Sequence, residues 1–238
     1  PYKVTFDNSA AGAGTYTLTG THGITGDTGL TKNGDGELII NNANTYTGGT
    51  AINAGTLSIA SDAALGEPAG ALTLAGGTLK TTAGITSARP MNVAAAGGTF
   101  DTNTFDSAMS GALSGTGSLT KAGAGTLTLS GTGSLGSAGA NVTGGKLVAN
   151  TGILAGPVAL SNNADVTFNQ TTDATYSKVV SGEGSLTKAG TGTLTVANAQ
   201  SYTGSPVISE GTLQWQGVLT AAPITDYGRS KLAGEELV

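Results

Sequence analysis

The chain has no cysteine, so disulfides and thiolate zinc sites are excluded. Aromatic residues make up only 5% of its 238 residues. That is too few for an ordinary globular core of this length, and a thin core built a layer at a time from Leu, Ile, Val, Ala and Thr is expected instead. Charged residues are scarce at 11%, the net charge is −5, and no basic stripe is present, which argues against a nucleic-acid partner. No apolar run reaches membrane-spanning length, and no signal peptide is read. The single histidine, His22, cannot build a metal site, and its Thr-His-Gly setting reads as an exposed turn. The first residue is Pro1 rather than Met, the mark expected of a processed or excised piece.

Glycine is what the chain has in excess, at 40 residues. No Gly-X-Y period accompanies it, so collagen is excluded. Strict alternation in TYTLT (15–19), TLTLS (126–130) and TLTV (193–196) is the pattern of half-buried strands. Three stretches share one frame: LTKNGDGELIINNANTYTGGTAINAGTL at 30–57, LTKAGAGTLTLSGTGSLGSAGANVTGGKL at 119–147 and LTKAGTGTLTVANAQSYTGSPVISEGTL at 186–213. Lys32, Lys121 and Lys188 are 89 and 67 residues apart, which four and three units of roughly 22 residues would explain. The copies are therefore expected as coils in one phase. The anchors Leu38, Leu57, Leu79, Phe100, Leu127, Leu147, Val166, Leu194 and Leu213 are expected to point inward, coil after coil.

The expected architecture is all-β: a right-handed, single-stranded parallel β-helix of about ten coils over 1–217, followed by a short helical or disordered tail at 218–238. Gly supplies the corners, where φ is positive, and Thr suits the outward pleat. ASDAALG (60–66) departs from the strand pattern and reads as a short helical turn. Arg89-Pro90 reads as a corner or edge, because Pro has no N–H to give to a ladder.

The frame Leu-Thr-Lys, Gly-x-Gly, Thr-Leu-Thr-Leu, Tyr-Thr-Gly-Gly-Thr, Gly-Thr-Leu resembles the passenger-associated transport repeat of bacterial autotransporters (type V secretion). The second copy lacks the Tyr-Thr-Gly-Gly-Thr core. The third keeps Tyr202-Thr203-Gly204 but has Ser205-Pro206 where the first has Gly49-Thr50. The resemblance implies a secreted β-helix rod at the bacterial surface, with structural or adhesive work and no catalytic residues. Such proteins carry a membrane β-barrel translocator; none is read in these residues, and membrane contact is expected only through it. The tail TDYGRSKLAGEELV (225–238) is similar to the Tyr-x-x-x-Lys segment of extended short-chain dehydrogenases and epimerases, with Tyr227, Lys231, Gly234 and Glu235 in the matching places. No strand–GxGxxG–helix unit precedes it, so no cofactor is expected.

Candidate binding residues are Tyr46 and Tyr202, at matching repeat positions where a glycan-stacking surface competes with packing of the loop on its own coil, and Trp215, which reads as a cap on the end of the apolar stack. Asp35 and Glu37 do not match the β-roll calcium signature and read as a solvated turn. Asp101 and Asp106 are a candidate carboxylate pair, to be taken as catalytic only if Arg89 converges on them. The three lysines read as solvated corners. No catalytic, metal or cofactor-binding residue is assigned. Three functions are weighed: an adhesive or structural passenger rod with a surface receptor, a glycan or itself as partner, including end-to-end association; a carbohydrate-binding or carbohydrate-cleaving β-helix; and a Thr-array binder of ice or crystalline polysaccharide.

Overall fold

The computed structural model describes residues 3–9 and 14–216. Every strand pairing is parallel and joins one coil to the next, which makes the chain a parallel β-solenoid. About ten coils stacked at strand spacing give a rod of roughly 50 Å.

Each full coil has three sides. The first side runs through Lys3–Asp7, Gly29–Asn33, Thr50–Ile52, Leu72–Leu74, Met91–Val93 and Leu113–Gly115, and returns at Ala174–Tyr176, Thr193–Val196 and Thr212–Trp215. The second side includes Tyr16–Leu18, Glu37–Ile40, Thr56–Ile59, Thr78–Thr81, Gly98–Asp101, Leu119–Ala122 and Ala140–Val142. The third includes Thr86–Ser87, Ser107–Met109, Thr126–Leu129 and Lys146–Ala149. The long strand Val158–Asn169 spans the second and third sides. It turns the corner at Asn162 and Asn163, both in the left-handed region that Asn tolerates better than other side chains (φ 54° and 55°).

The expected anchors are all inside: Leu38, Leu57, Leu79, Phe100, Leu127, Leu147, Val166 and Leu194 are fully buried, and Leu213 is 1% exposed. They do not form one column. Leu38, Leu57, Leu79 and Phe100 stack on the second side, and that column continues through Lys121, Val142, Leu160, Gly182 and Tyr202. Leu127, Leu147 and Val166 stack on the third side. Leu194 and Leu213 stack on the first.

The expected period of 22 is corrected by the same register. From Leu38 to Tyr202 the column crosses eight coils in 164 residues, about 20 to 21 per coil. At that length, 89 and 67 residues are four and three coils plus one side. The three copies are thus not in one phase; each is turned by one side from the copy before. Any corner can host the frame, because each joins two inward-outward alternating strands through a Gly turn.

The stretch 60–66 forms the expected short turn, a 3-10 helix over Asp62–Leu65. It sits where the third side would run and separates the pair Thr25–Gly26 and Thr45–Tyr46 from the strands that begin at Thr86. Pro90 lies between strands at a corner, where its carbonyl accepts from Leu72 N.

Candidate functional site

The chemistry-bearing side chains of this rod are concentrated at its corners. Alternation puts Leu119 and Lys121 on one face of their strand and Thr120 on the other. The inward face is buried, and Lys121 with it. Its amine folds over the following Gly turn and donates to Ala122 O (2.8 Å), Gly123 O (2.8 Å) and, from the next coil, Gly144 O (3.1 Å). Lys32 does the same with Asn33 O (2.6 Å), Gly34 O (2.6 Å) and Ala54 O (3.3 Å). Lys188 donates to Ala189 O (2.7 Å), Gly190 O (2.5 Å), Glu210 O (3.2 Å) and Gln170 O (3.4 Å). All three are 0% exposed, which corrects the reading of solvated corners. Burial holds each below the ordinary lysine value, Lys121 at about 8. Carboxylates act in the opposite direction: Asp7 and Asp35 on Lys32, Asp101 and Asp106 on Lys121, Glu210 and Asp173 on Lys188.

Arg89 is a fourth buried cation. The turn at Asp62–Leu65 interrupts the third side and leaves carbonyls without a strand to receive from. The guanidinium supplies the donors. It reaches the carbonyls of Asp62, Leu65, Gly66, Glu67 and Gly70 at 2.8–3.4 Å, and grips both carboxylate oxygens of Asp62 at 2.7 and 3.0 Å. A planar fork of fixed donors suits such a set better than an ammonium. Arg89 therefore serves Asp62 and does not converge on Asp101 and Asp106.

A protein-family comparison matches residues 30–59, 119–149 and 186–214 to the passenger-associated-transport-repeat. The chain carries three passenger repeats. Each begins on the strand that carries the buried lysine and ends on the strand after the glycine whose preceding carbonyl that lysine holds. A passenger repeat is therefore longer than one coil: it comprises one corner, a circuit of the rod, and the same corner one coil later. Over 134 residues, 56% of its length, the chain is 44% identical to the autotransporter adhesin BmaC of Brucella suis biovar 1 (strain 1330). It spans about 4% of the length of that relative. No solved structure matches the chain.

Within the passenger repeats, Tyr46 and Tyr202 are 0% and 1% exposed, so neither ring is open for a glycan to stack on. Both rings fill the inside of a corner. The Tyr46 hydroxyl pairs with Thr50 Oγ1 at 2.5 Å, and Thr50 passes the chain on to Leu65 O at 3.2 Å. In the third repeat the residue four past the tyrosine is Pro206, which has no hydroxyl, and the buried Tyr202 hydroxyl has no partner among the described residues. Trp215 is half-buried in the column of Tyr176 and Val196, its indole N–H unpartnered among the described residues. Asp101 caps its own turn by accepting from Asn103 N, and Asp106 accepts from Thr126 N at the start of a strand in the next coil, each at 2.7 Å. Glu37 accepts from Ser58 Oγ at 2.5 Å, and Asp35 is exposed. His22 is exposed, its ring 3.1 Å from Thr21 Oγ1. Among the described residues no three His, Cys, Asp or Glu side chains gather as metal ligands. Tyr227, Lys231, Gly234 and Glu235 lie outside the described residues, and the repeat matches end at 214.

The outer surface is what remains for recognition. Outside the corners, Thr56, Thr78, Thr99, Thr120 and Asn141 stack in successive coils on the second side. The neighbouring outward column, Ile39, Ser58, Lys80, Asp101 and Ala122, is mixed, so the threonines form a single file rather than a paired Thr-x-Thr array. An open groove of about 500 Å³ runs beside them, lined by Gly97, Thr99, Gly117, Ser118, Thr120 and Asn141 among others. With Lys32, Lys121, Lys188 and Arg89 inside, the surface is more acidic than the sequence total of −5 conveys.

Proposed function

We propose that this chain is a section of the adhesive rod of an autotransporter-type protein, secreted and held at the bacterial cell surface, where its outward faces meet a receptor or glycan. The observation that carries the reading is the set of three passenger repeats placed on successive sides of one parallel solenoid. The similarity to an autotransporter adhesin supports it. A non-catalytic role fits the same observations, because the buried lysines are engaged by backbone carbonyls, Arg89 by carbonyls and Asp62, and Asp101 and Asp106 by the N–H groups of Asn103 and Thr126. The second side, with its threonine file and groove and few charges beside them, is the contact face in this proposal.

The test is adhesion of beads coated with the purified chain to epithelial monolayers and to extracellular-matrix proteins. The expected result is saturable binding, competed by soluble chain and weakened by Thr99→Glu with Thr120→Glu. Binding no better than that of albumin-coated beads would overturn the proposal. For localisation, a protease added to intact cells that express the parent protein should release fragments containing this sequence; full protection would contradict surface exposure.

A further inference from the structure

The buried lysines are the polar groups that the adhesive reading does not use, and they are built alike at three corners facing three directions. Each amine sits between two Gly turns one coil apart, the turn after its own strand and the turn that closes the repeat. The closing glycine must be glycine. A Cβ on Gly55 would lie 2.4 Å from the carbonyl oxygens of Gly34 and Gly36, one on Gly145 2.4 Å from Gly125 O, and one on Gly211 2.7 Å from Lys188 Nζ. Those three glycines have φ of 61–75°, the left-handed region. The carbonyls that meet the amine are thus brought together by backbone alone. Among the described residues the direct ion pairs are Arg89–Asp62 and Lys146–Asp165, so no carboxylate touches these lysines. Recognition rests on N–H donation to neutral oxygens, and the three acceptors from both turns match the three donors of one primary ammonium, with Gln170 O a fourth, longer contact at Lys188.

We propose that each passenger repeat contains a backbone-carbonyl site selective for a primary ammonium group, in which the repeat's own lysine is the resident ligand that ties one coil to the next. The site discriminates by donor count. A primary ammonium satisfies the carbonyls of both turns, whereas a quaternary ammonium of equal charge satisfies none. At Lys121 the facing charged groups are Asp101 and Asp106, which favour the cation.

The experiment uses the whole chain with Lys121→Ala. The deleted atoms correspond to n-propylammonium, which is the probe, and tetramethylammonium chloride at equal concentration is the control. Thermal unfolding followed by circular dichroism is expected to show a lower midpoint for the variant and a saturable recovery with n-propylammonium only. Equal effects of the two salts, or a Lys121→Met variant that melts with the parent chain, would overturn the proposal. Should the alanine variant not fold, the parent chain labelled with 15N-lysine is measured by NMR at pH 6. Three ammonium signals with slow proton exchange are expected. Exchange at all lysines as fast as at exposed Lys178 would equally refute the site.

Discussion

Replacing Arg89 by methionine keeps an apolar stem of similar length and deletes the guanidinium. In the parent chain that group serves the carbonyls of Asp62, Leu65, Gly66, Glu67 and Gly70 and both oxygens of the Asp62 carboxylate. Removing one member of a buried ion pair costs about 3–5 kcal/mol, chiefly because the partner charge stays behind. Here that charge is less confined, since the Asp62 side chain is 20% exposed and the Arg89 side chain 0%. The buried carbonyls have less outlet, although Leu65 O keeps its bond from Thr50 Oγ1 and Glu67 O its bond from Gly70 N, and each buried acceptor left unmade costs about 1–3 kcal/mol. Some will find water once the stem relaxes, so about 4 kcal/mol in all is expected for Arg89→Met. Asp62→Asn keeps one acceptor oxygen and leaves the carbonyls served, so about 1–2 kcal/mol is expected. The ordering, with Arg89 costing well over Asp62, is the structural claim: the guanidinium is held by the backbone of the turn more than by its counter-ion. Urea unfolding by circular dichroism measures both variants. Hydrogen exchange at Ala64, Glu67 and Gly70, whose N–H groups bond within and around the turn, shows whether the loss is local. Equal costs for the two variants, or Arg89→Met within about 1 kcal/mol of the parent chain, would mean that the turn does not depend on the guanidinium.

Stability should rise as pH passes from about 8 towards 10, because Lys121 is lowered by burial to about 8 and the unfolded chain, with its lysine at 10.5, holds a proton that the folded chain has given up. Tyr46, Tyr176 and Tyr202 are raised above their ordinary 10.0 by burial, so the stability they supply is present below that pH and is lost above it. Urea midpoints measured from pH 7 to 11 should therefore peak near 10, and a monotonic fall from pH 8 would contradict the buried lysines. Tyr46→Phe should cost about 1 kcal/mol by removing the bond to Thr50, while Tyr202→Phe should be neutral or stabilising, since it removes a buried hydroxyl without a partner. Thermal melts of the two variants decide it, and the reverse order would mean that the two corners were misread.

Residue order alone marks this chain as a stack of strands with glycine corners. Leu38 to Leu213 recur behind Gly or a fixed distance from Lys, and period-two alternation names the buried face. It also held the repeat and the family resemblance, because both are properties of residue order. It did not determine the phase. The count of residues between Lys32, Lys121 and Lys188 fits whole coils of 22 as well as coils of about 20 to 21 plus one side, and only the strand register separates the two. The lysine sites were half legible. Leu-Thr-Lys places Lys on the face of Leu, yet a charge at an inward position is expensive unless acceptors surround it, and the set is closed by a carbonyl of the neighbouring coil. Arg89 lay further out of reach, since its partners at 62–70 are close only after the rod has wound one full turn. Nor did sequence fix the surroundings of Tyr46 and Tyr202. A tyrosine in a Gly-rich loop fits a surface or an interior equally well, and it was the closing of the corner over each ring that buried them both.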